Sequence, residues 1–318
     1  MIRASEGMRE VLKVLGGYGI EDPRKEAEII LTQCLDLERV ALYRDNPVLS
    51  PLQVETLGKV LERRGLREPI QYIIGHVDFY GLTIKVGPGV LIPRPETELV
   101  VEEVIKTVKS RQSEVITQRL KDPGQSATKE RLKVLDLCTG SGCLALAMAK
   151  EFPGAEVIGS DVSERALEYA RQNALMNGIG NVTFLRGSLF EPLEGMRFDI
   201  VVSNPPYIRR TEIETLQPEI KDWEPMEALD GGEDGLRFYR RILLHSGEHL
   251  EEGKVVDVPA GQVGRRVEDL AVEVGYREAV ATDVAGELVQ RDRRNVRPAG
   301  HRRHDPQVGR LPRPGRAE

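Results

Sequence analysis

The spacing of apolar side chains predicts helices over the first 70 residues. Apolar positions there recur mostly at intervals of three and four, which is the period of an amphipathic helix. Asp22-Pro23 has the form of an N-cap followed by proline at the first helical position, so one helix is predicted to begin there. We expect residues 1–71 to form a small helical domain that recognises a substrate.

The pattern becomes extended over Phe79–Val86, and Gly87-Pro88-Gly89 after it predicts a turn. We interpret residues 72–94 as a β-hairpin that links two domains. Proline disfavours helical backbone at the residue before it, so the next helix is expected to begin at about Pro95.

A polar stretch over residues 110–130 predicts a surface loop, and strands and helices alternate beyond it. Apolar runs of strand length are separated there by segments with helical periodicity. Strands are predicted at 132–137, 155–160, 182–185, 198–203, 254–258 and 278–282, and helices at 142–151, 163–177, 235–250 and 262–275. This alternation predicts an α/β fold over residues 95–290, with a mostly parallel sheet and helices on both faces.

Charge is distributed unevenly along the 318 residues. The net charge is −6, yet residues 291–318 carry nine Arg against three acidic residues, so we expect a disordered basic tail. The remainder is acidic, which makes direct nucleic-acid binding an unfavourable electrostatic match.

No apolar run reaches the roughly 18 residues of a membrane span, and residues 1–17 lack a secretory signal. We therefore expect a cytoplasmic protein without a membrane partner. The spacing of the three cysteines matches no metal site.

Asn204-Pro205-Pro206-Tyr207 is the most informative motif of the chain. It follows the apolar run 198–203, and two consecutive prolines end a strand because neither can donate to a sheet ladder. Asn204 is therefore predicted at the carboxyl end of a strand, where open α/β sheets bind ligands. A side-chain amide, proline carbonyls and an aromatic ring suit a flat group that carries an NH2.

A second candidate site is the turn that follows the predicted strand 132–137. Gly140 and Gly142 let the backbone approach a ligand closely, and the helix after them offers free N–H groups. Asp161 ends the next strand and can accept hydrogen bonds from both ribose hydroxyls of a nucleoside. Asp161 can instead cap the following helix, a role that Ser163 can fill as well. A third strand end, at 186–190, is a candidate position for an adenine ring.

Together these motifs resemble a class I S-adenosylmethionine-dependent methyltransferase of the kind that methylates a planar NH2. Three further segments, Glu68–Gly75, Leu91–Glu98 and Trp223–Leu236, resemble the release factor glutamine methyltransferases, also called the PrmC/HemK family. The resemblance covers about residues 5–286. It implies a Rossmann-like class I methyltransferase sheet that uses S-adenosylmethionine. It also implies that the substrate is the glutamine of the Gly-Gly-Gln motif in peptide chain release factors.

The resemblance also implies roles for individual residues. The substrate-binding and catalytic residues that it implies are Asn204, Pro205, Pro206 and Tyr207. The cofactor-binding residues that it implies are Asp136, Cys138, Thr139, Gly140, Ser141, Gly142, Asp161, Ser188, Leu189 and Asn204.

The chain departs from the family pattern at three places. Cys138 stands where the family usually has Gly, and Ser188 stands where Asp is common. The family's last strand is antiparallel and lies between its two predecessors, whereas Gln290–Arg294 is too charged for a buried strand. Two alternatives therefore stay open: an adenine N6-methyltransferase acting on DNA or RNA, and a catalytically impaired methyltransferase-like protein that binds a partner.

Overall fold

The structure, a computed structural model, describes residues 1–121, 131–259 and 279–282. The predicted helix at 262–275 and the predicted tail at 291–318 lie outside the described residues. Across the part of the chain that is described, no helix has the length and apolar character needed to cross a membrane.

Helices occupy most of the first 74 residues, as predicted. They are α1 (Ala4–Gly17), α2 (Pro23–Ile29, continued by a π-helical turn at Ile30–Cys34), α3 (Arg39–Arg44), α4 (Pro51–Gly65) and α5 (Ile70–Ile74). Asp22 Oδ1 accepts from the backbone N–H of Lys25 at 3.2 Å, so the predicted helix start is confirmed. Ser50 and Gln53 form a reciprocal capping box at the start of α4. The apolar faces of these helices meet in a shared core.

The predicted hairpin is present, but its turn lies earlier than expected. Strands β1 (His76–Phe79) and β2 (Leu82–Lys85) pair antiparallel. Tyr80 and Gly81 form the turn with φ values of +48° and +66°, so the prediction of continuous extended backbone over Phe79–Val86 was wrong. The backbone N–H of Tyr80 donates to Glu98 Oε1 at 2.8 Å, a tertiary contact that holds the turn and that local sequence does not show.

Helix α6 (Thr97–Lys121) is longer than predicted. It begins two positions after Pro95 and continues through the polar stretch, so the prediction of a loop over 110–130 was wrong as far as Lys121. Residues 122–130 lie outside the described residues. Many residues between positions 110 and 121 have high intrinsic helix propensity, among them Gln, Glu, Arg, Leu and Lys. No Gly or Pro interrupts them, so the helix can continue through this polar stretch.

Within the described residues, the sheet has six parallel strands in the order β5-β4-β3-β6-β7-β8. The strands are β3 (Lys133–Leu137), β4 (Glu156–Asp161), β5 (Val182–Arg186), β6 (Phe198–Ser203), β7 (Leu250–Pro259) and β8 (Ala279–Thr282). The helices are α7 (Cys143–Glu151), α8 (Glu164–Met176), α9 (Arg210–Ile213), α10 (Pro218–Lys221) and α11 (Arg237–His249). All six predicted strands and the helices predicted at 142–151, 163–177 and 235–250 are confirmed. This is the Rossmann strand order, with its switch point between β3 and β6.

The two faces of the sheet are covered by different helices. Val134 of β3 packs with α6 and α7, whereas the next residue, Leu135, packs in the cluster of Tyr239 and Ile242 of α11. Both strand residues are fully buried, as expected for a parallel sheet with helices on both faces.

Strands β7 and β8 pair directly with each other, from Val256 opposite Ala279 to Pro259 opposite Thr282. In the family pattern an antiparallel last strand lies between these two strands, so the described sheet departs from that pattern here. Direct pairing satisfies the facing backbone groups without an inserted strand, so a family-type last strand is not needed to close this part of the ladder.

Candidate active site

A cleft of about 260 Å³ lies at the carboxyl ends of β3 and β6. Leu137 and Ser203 are register partners there, and Ser203 Oγ donates to the backbone carbonyl of Leu137 at 2.8 Å. The loop after β3 and the loop after β6 therefore meet at the switch point of the sheet. This is where open α/β sheets bind ligands.

Most of the sequence-predicted site residues line this cleft. Those in the lining are Cys138, Thr139, Gly140, Ser141, Asp161, Ser188, Leu189, Asn204 and Pro206. The remaining four, which are not part of the lining but adjoin residues that are, are Asp136, Gly142, Pro205 and Tyr207. The cleft has further polar wall residues that the sequence did not single out, and among them are Thr97, Glu227, Arg237 and Arg241. Thr97 lies within the segment Leu91–Glu98, which resembles the family, whereas no sequence motif pointed to the two arginines of α11.

Asp136 holds the loop after β3 from behind. Its side chain is fully buried, and Oδ2 accepts from Thr139 Oγ1 at 2.6 Å and from the backbone N–H of Ala145 at 3.0 Å. Oδ1 is buried without a hydrogen-bond partner among the described residues. Burial raises the pKa of Asp136 to about 7, and the two donors oppose that rise. Asp136 therefore fixes the loop onto the start of α7 at an electrostatic cost.

Asp161 joins the loops after β3 and β4. Its Oδ2 accepts from the backbone N–H of Gly140 at 2.8 Å, and its Oδ1 accepts from that of Ser163 at 2.9 Å. Burial raises the pKa of Asp161, and these donors counteract it. Ser163 Oγ caps α8 by accepting from Ala166, so the cap is made without excluding Asp161 from the cleft. The carboxylate keeps lone pairs for further donors.

Cys138 departs from the family pattern in a position that is demanding for any residue with a Cβ. Its φ is +58°, in the left-handed region that favours glycine. Its side chain is half-buried in the cleft wall, and burial raises the pKa of its thiol well above the usual range. At the other departure, Ser188 Oγ accepts from Arg241 Nη2 at 3.3 Å.

Asn204 extends from the end of β6 into the cleft. Its Nδ2 donates to Thr97 Oγ1 at 3.4 Å, across 107 positions of sequence. Thr97 is the first residue of α6 and is 5% exposed. The amide of Asn204 is thus held against a side chain from a different element.

Tyr207 lies behind the cleft, half-buried, and glycines pack on its backbone. A Cβ at Gly231 would approach Tyr207 Cα to 2.6 Å, and a Cβ at Gly235 would approach the Tyr207 carbonyl oxygen to 2.4 Å. Only glycine permits such contacts. The glycine-rich run 231–235 therefore supports the Asn204–Tyr207 loop from outside.

A buried ion-pair network connects the N-terminal helices to the segment that follows this loop, within the unit Met1–Val284. Arg64 is 2% exposed and donates to Glu26 of α2, to the carbonyl of Glu68 and to Glu219 of α10. Arg67 donates to the second oxygen of Glu219 at 2.7 Å. Glu219 therefore holds α10 on α4. Burial acts to raise the pKa of Glu219, but hydrogen bonds from its own backbone N–H and from the two arginines outweigh burial and lower that pKa.

The cleft suits S-adenosylmethionine. Gly140 has a φ of +56°, and a Cβ built on it would meet nothing closer than the Cys138 carbonyl at 4.0 Å, so there is room for a ligand directly over the backbone. The loop leads into α7, and Cys143 and Leu144 of the first turn of α7 line the same cleft. Asp161 ends the strand that follows the glycine-containing loop, and it lines the cleft. In Rossmann proteins an acidic residue at this position binds the ribose.

A parallel sheet in Rossmann order with this cleft at its switch point defines a Rossmann-like fold. Two family matches identify its class as a methyltransferase. Residues 7–75 match the PrmC N-terminal domain, and residues 111–219 match the methyltransferase small domain.

Three curated relatives define the family more narrowly. A release factor glutamine methyltransferase from Thermodesulfovibrio yellowstonii is 42% identical over 264 residues, which cover 82% of this chain and 89% of that protein. The Geobacter sulfurreducens protein of the same name is 43% identical over 260 residues, which cover 80% of this chain and 84% of that protein. The Moorella thermoacetica protein is 38% identical and covers 88% and 94%. The chain belongs to the release factor glutamine methyltransferase family.

Proposed function

We propose that the chain transfers a methyl group from S-adenosylmethionine to the side-chain amide nitrogen of the glutamine in the Gly-Gly-Gln motif of peptide chain release factors. The observation that carries this proposal is the position of Asn204, which faces the glycine-containing loop across the switch point. Membership of the family supports the choice of substrate and disfavours an adenine substrate.

We assign the cofactor to the loop after β3 and to the next two strand ends. S-adenosylmethionine, when bound, supplies a methyl group on a positively charged sulfur, an electrophile that needs no further activation. The backbone of residues 138–142 approaches it closely, Asp161 accepts from the ribose hydroxyls, and Ser188 and Leu189 border the adenine. Asp136 acts from behind by fixing this loop.

Asn204 and Pro205 provide hydrogen-bond acceptors that make the amide nitrogen of the substrate a better nucleophile. That nitrogen is a weak nucleophile because its lone pair is delocalised into the carbonyl. Asn204 Oδ1 and the backbone carbonyl of Pro205 accept hydrogen bonds from its two N–H groups, which orients the nitrogen and favours a pyramidal geometry. Positioning and preorganised acceptors together lower the barrier. Tyr207, behind the lining, shapes the wall with Pro206.

The bond changes balance without a metal or a redox partner. The N–C bond forms as the S–C bond of the sulfonium breaks, and the sulfur keeps the bonding pair. The methylated nitrogen is then strongly acidic until it loses a proton, which water can accept. The products are a methylated glutamine and S-adenosylhomocysteine.

We further propose a division of labour along the chain. Residues 1–71 and the hairpin segment 72–94 grip the release factor, while residues 95–290 carry the transfer. The proposed substrate is a translation factor, so the proposed place of action is the cytoplasm, without a membrane or nucleic-acid partner.

Methylation of purified release factor with labelled S-adenosylmethionine tests the proposal. We expect label on the glutamine of the Gly-Gly-Gln motif, located by mass mapping, and none on a release factor in which that glutamine is alanine. Parallel reactions contain DNA and RNA. Label on nucleic acid would contradict the substrate, and binding of S-adenosylhomocysteine without turnover of any substrate would favour an impaired binding protein.

A further inference from the structure

Thr97 is placed to control the orientation of the Asn204 amide. It is the first residue of α6, is 5% exposed and lines the cleft together with Asn204. Asn204 Nδ2 donates to Thr97 Oγ1 at 3.4 Å. In this orientation the Thr97 hydroxyl oxygen is the acceptor, and Asn204 Oδ1 remains for a ligand in the cleft.

The orientation of this amide decides what it can bind. The terminal torsion of Asn is broad and roughly two-fold, so rotation exchanges a donor for an acceptor at the same place. A substrate NH2 needs an acceptor. A rotated Asn204 would present its own NH2 to that group, and two donors would then face each other without a hydrogen bond.

Thr97 is itself held on both sides. Its backbone N–H donates to the carbonyl of Arg94 at 3.0 Å, and the neighbouring Glu98 accepts from Tyr80. The preceding segment is anchored by the buried Glu224, which accepts from Arg94 Nη2 and from the backbone N–H of Ile92. A β-branched side chain also has few χ1 choices. The backbone that carries the hydroxyl is therefore held by contacts with the hairpin and with Glu224.

We propose that Thr97 is a positioning residue for methyl transfer, because its hydroxyl oxygen accepts from the Asn204 NH2 when Oδ1 faces the substrate NH2 and so stabilises that orientation of the amide. This inference rests on the proposed function. Thr97 acts through Asn204 and does not contact the reacting atoms.

Three variants of the full chain test this role. Thr97→Val keeps the shape of the side chain and removes the hydroxyl, whereas Thr97→Ser keeps the hydroxyl. Thr32→Val is the matched control, since the Thr32 hydroxyl donates to the Glu28 carbonyl in the N-terminal helices. Steady-state kinetics with purified release factor give kcat and KM, and calorimetry gives the Kd for S-adenosylhomocysteine.

We expect Thr97→Val to lower kcat about tenfold, the effect of one lost hydrogen bond, with KM and the S-adenosylhomocysteine Kd changed by less than about threefold. Thr97→Ser should recover most of kcat, and Thr32→Val should match the wild type. Unchanged kcat in Thr97→Val, or an equal loss in Thr97→Ser, would overturn the inference alone. A parallel loss of cofactor affinity would overturn it too, because it would indicate a structural role. No transfer by the wild-type chain would overturn the proposed function and this inference with it.

Discussion

Ser203 Oγ donates to the backbone carbonyl of Leu137 at 2.8 Å, and the two residues are register partners at the ends of adjacent parallel strands. This bond ties the strand that leads into the Cys138 loop to the strand that leads into Asn204. The separation between the cofactor loop and the proposed substrate acceptor is therefore set by the sheet ladder and by one buried hydroxyl.

Asn204→Ala should remove transfer while leaving the cofactor bound. The variant loses the proposed acceptor for the substrate amide but none of the contacts of residues 138–142. We expect kcat/KM for release factor to fall at least about 100-fold, in the range seen when a preorganised polar group is removed from an active site. Calorimetry should give a Kd for S-adenosylhomocysteine close to that of the wild type. Equal loss of both quantities would contradict this separation of roles.

Cys138→Gly should relieve backbone strain in the cofactor loop. A non-glycine residue at φ +58° pays a steric penalty of about 1 kcal/mol. Glycine removes it at a smaller entropic cost. We expect a free energy of unfolding equal to or above that of the wild type in urea titrations, and tighter binding of S-adenosylhomocysteine. Cys138→Ala is the matched control because it keeps the Cβ, and it should show neither gain. Weaker cofactor binding by the glycine variant would show that the sulfur contributes a favourable contact.

Asp136 should make stability depend on pH between about 4 and 7. Its folded pKa of about 7 lies above the value of an unfolded Asp, so the folded state holds the proton more tightly. The contribution of Asp136 to stability is then fully present below about pH 4 and is lost as the pH rises to about 7. Asp136→Asn should flatten this decrease, which urea titrations at pH 5 and pH 8 would measure. Asp78→Asn, at an exposed site on the hairpin, is the control. A wild type more stable at pH 8 than at pH 5, with the same slope in Asp136→Asn, would refute the assignment.

Arg64→Met should destabilise the chain far more than Arg44→Met. Arg64 is 2% exposed and its removal leaves two partly buried carboxylates, Glu26 and Glu219, without their shared partner. Breaking a buried pair from one side costs about 3–5 kcal/mol. Arg44 pairs with Asp45 on the exposed surface, where water and salt screen the ion pair. Urea titrations of both variants would compare them, and similar losses would show that the Arg64 network is not a stability determinant.

Local sequence was sufficient to predict the strands and the polar residues at their ends. The buried strands are apolar runs of strand length, and Gly140, Asp161 and Asn204 follow them directly. Because parallel strands bring their carboxyl ends to one edge of a sheet, the meeting of these residues could be inferred without coordinates. The N-caps at Asp22 and Ser163 were predictable for the same reason, since a cap depends on residues three positions apart.

Contacts between distant segments were not predictable in this way. The turn at Tyr80-Gly81 depends on Glu98, and the Arg64–Glu219 pair joins residues 155 positions apart. The direct pairing of β7 with β8 likewise depends on which strands lie next to each other in the sheet, and the sequence of one strand does not show its neighbour.

The sequence by itself therefore determined the α/β alternation, the strand ends and the kinds of chemical groups placed there. Only the tertiary structure decided which residues of the cleft wall surround Asn204, which end of the Asn204 amide contacts Thr97, and which loops are tied together by Ser203. The physical reason is that periodicity and capping act over a few residues along the chain. Side-chain hydrogen bonds across a cleft depend on distances in space that no local pattern encodes.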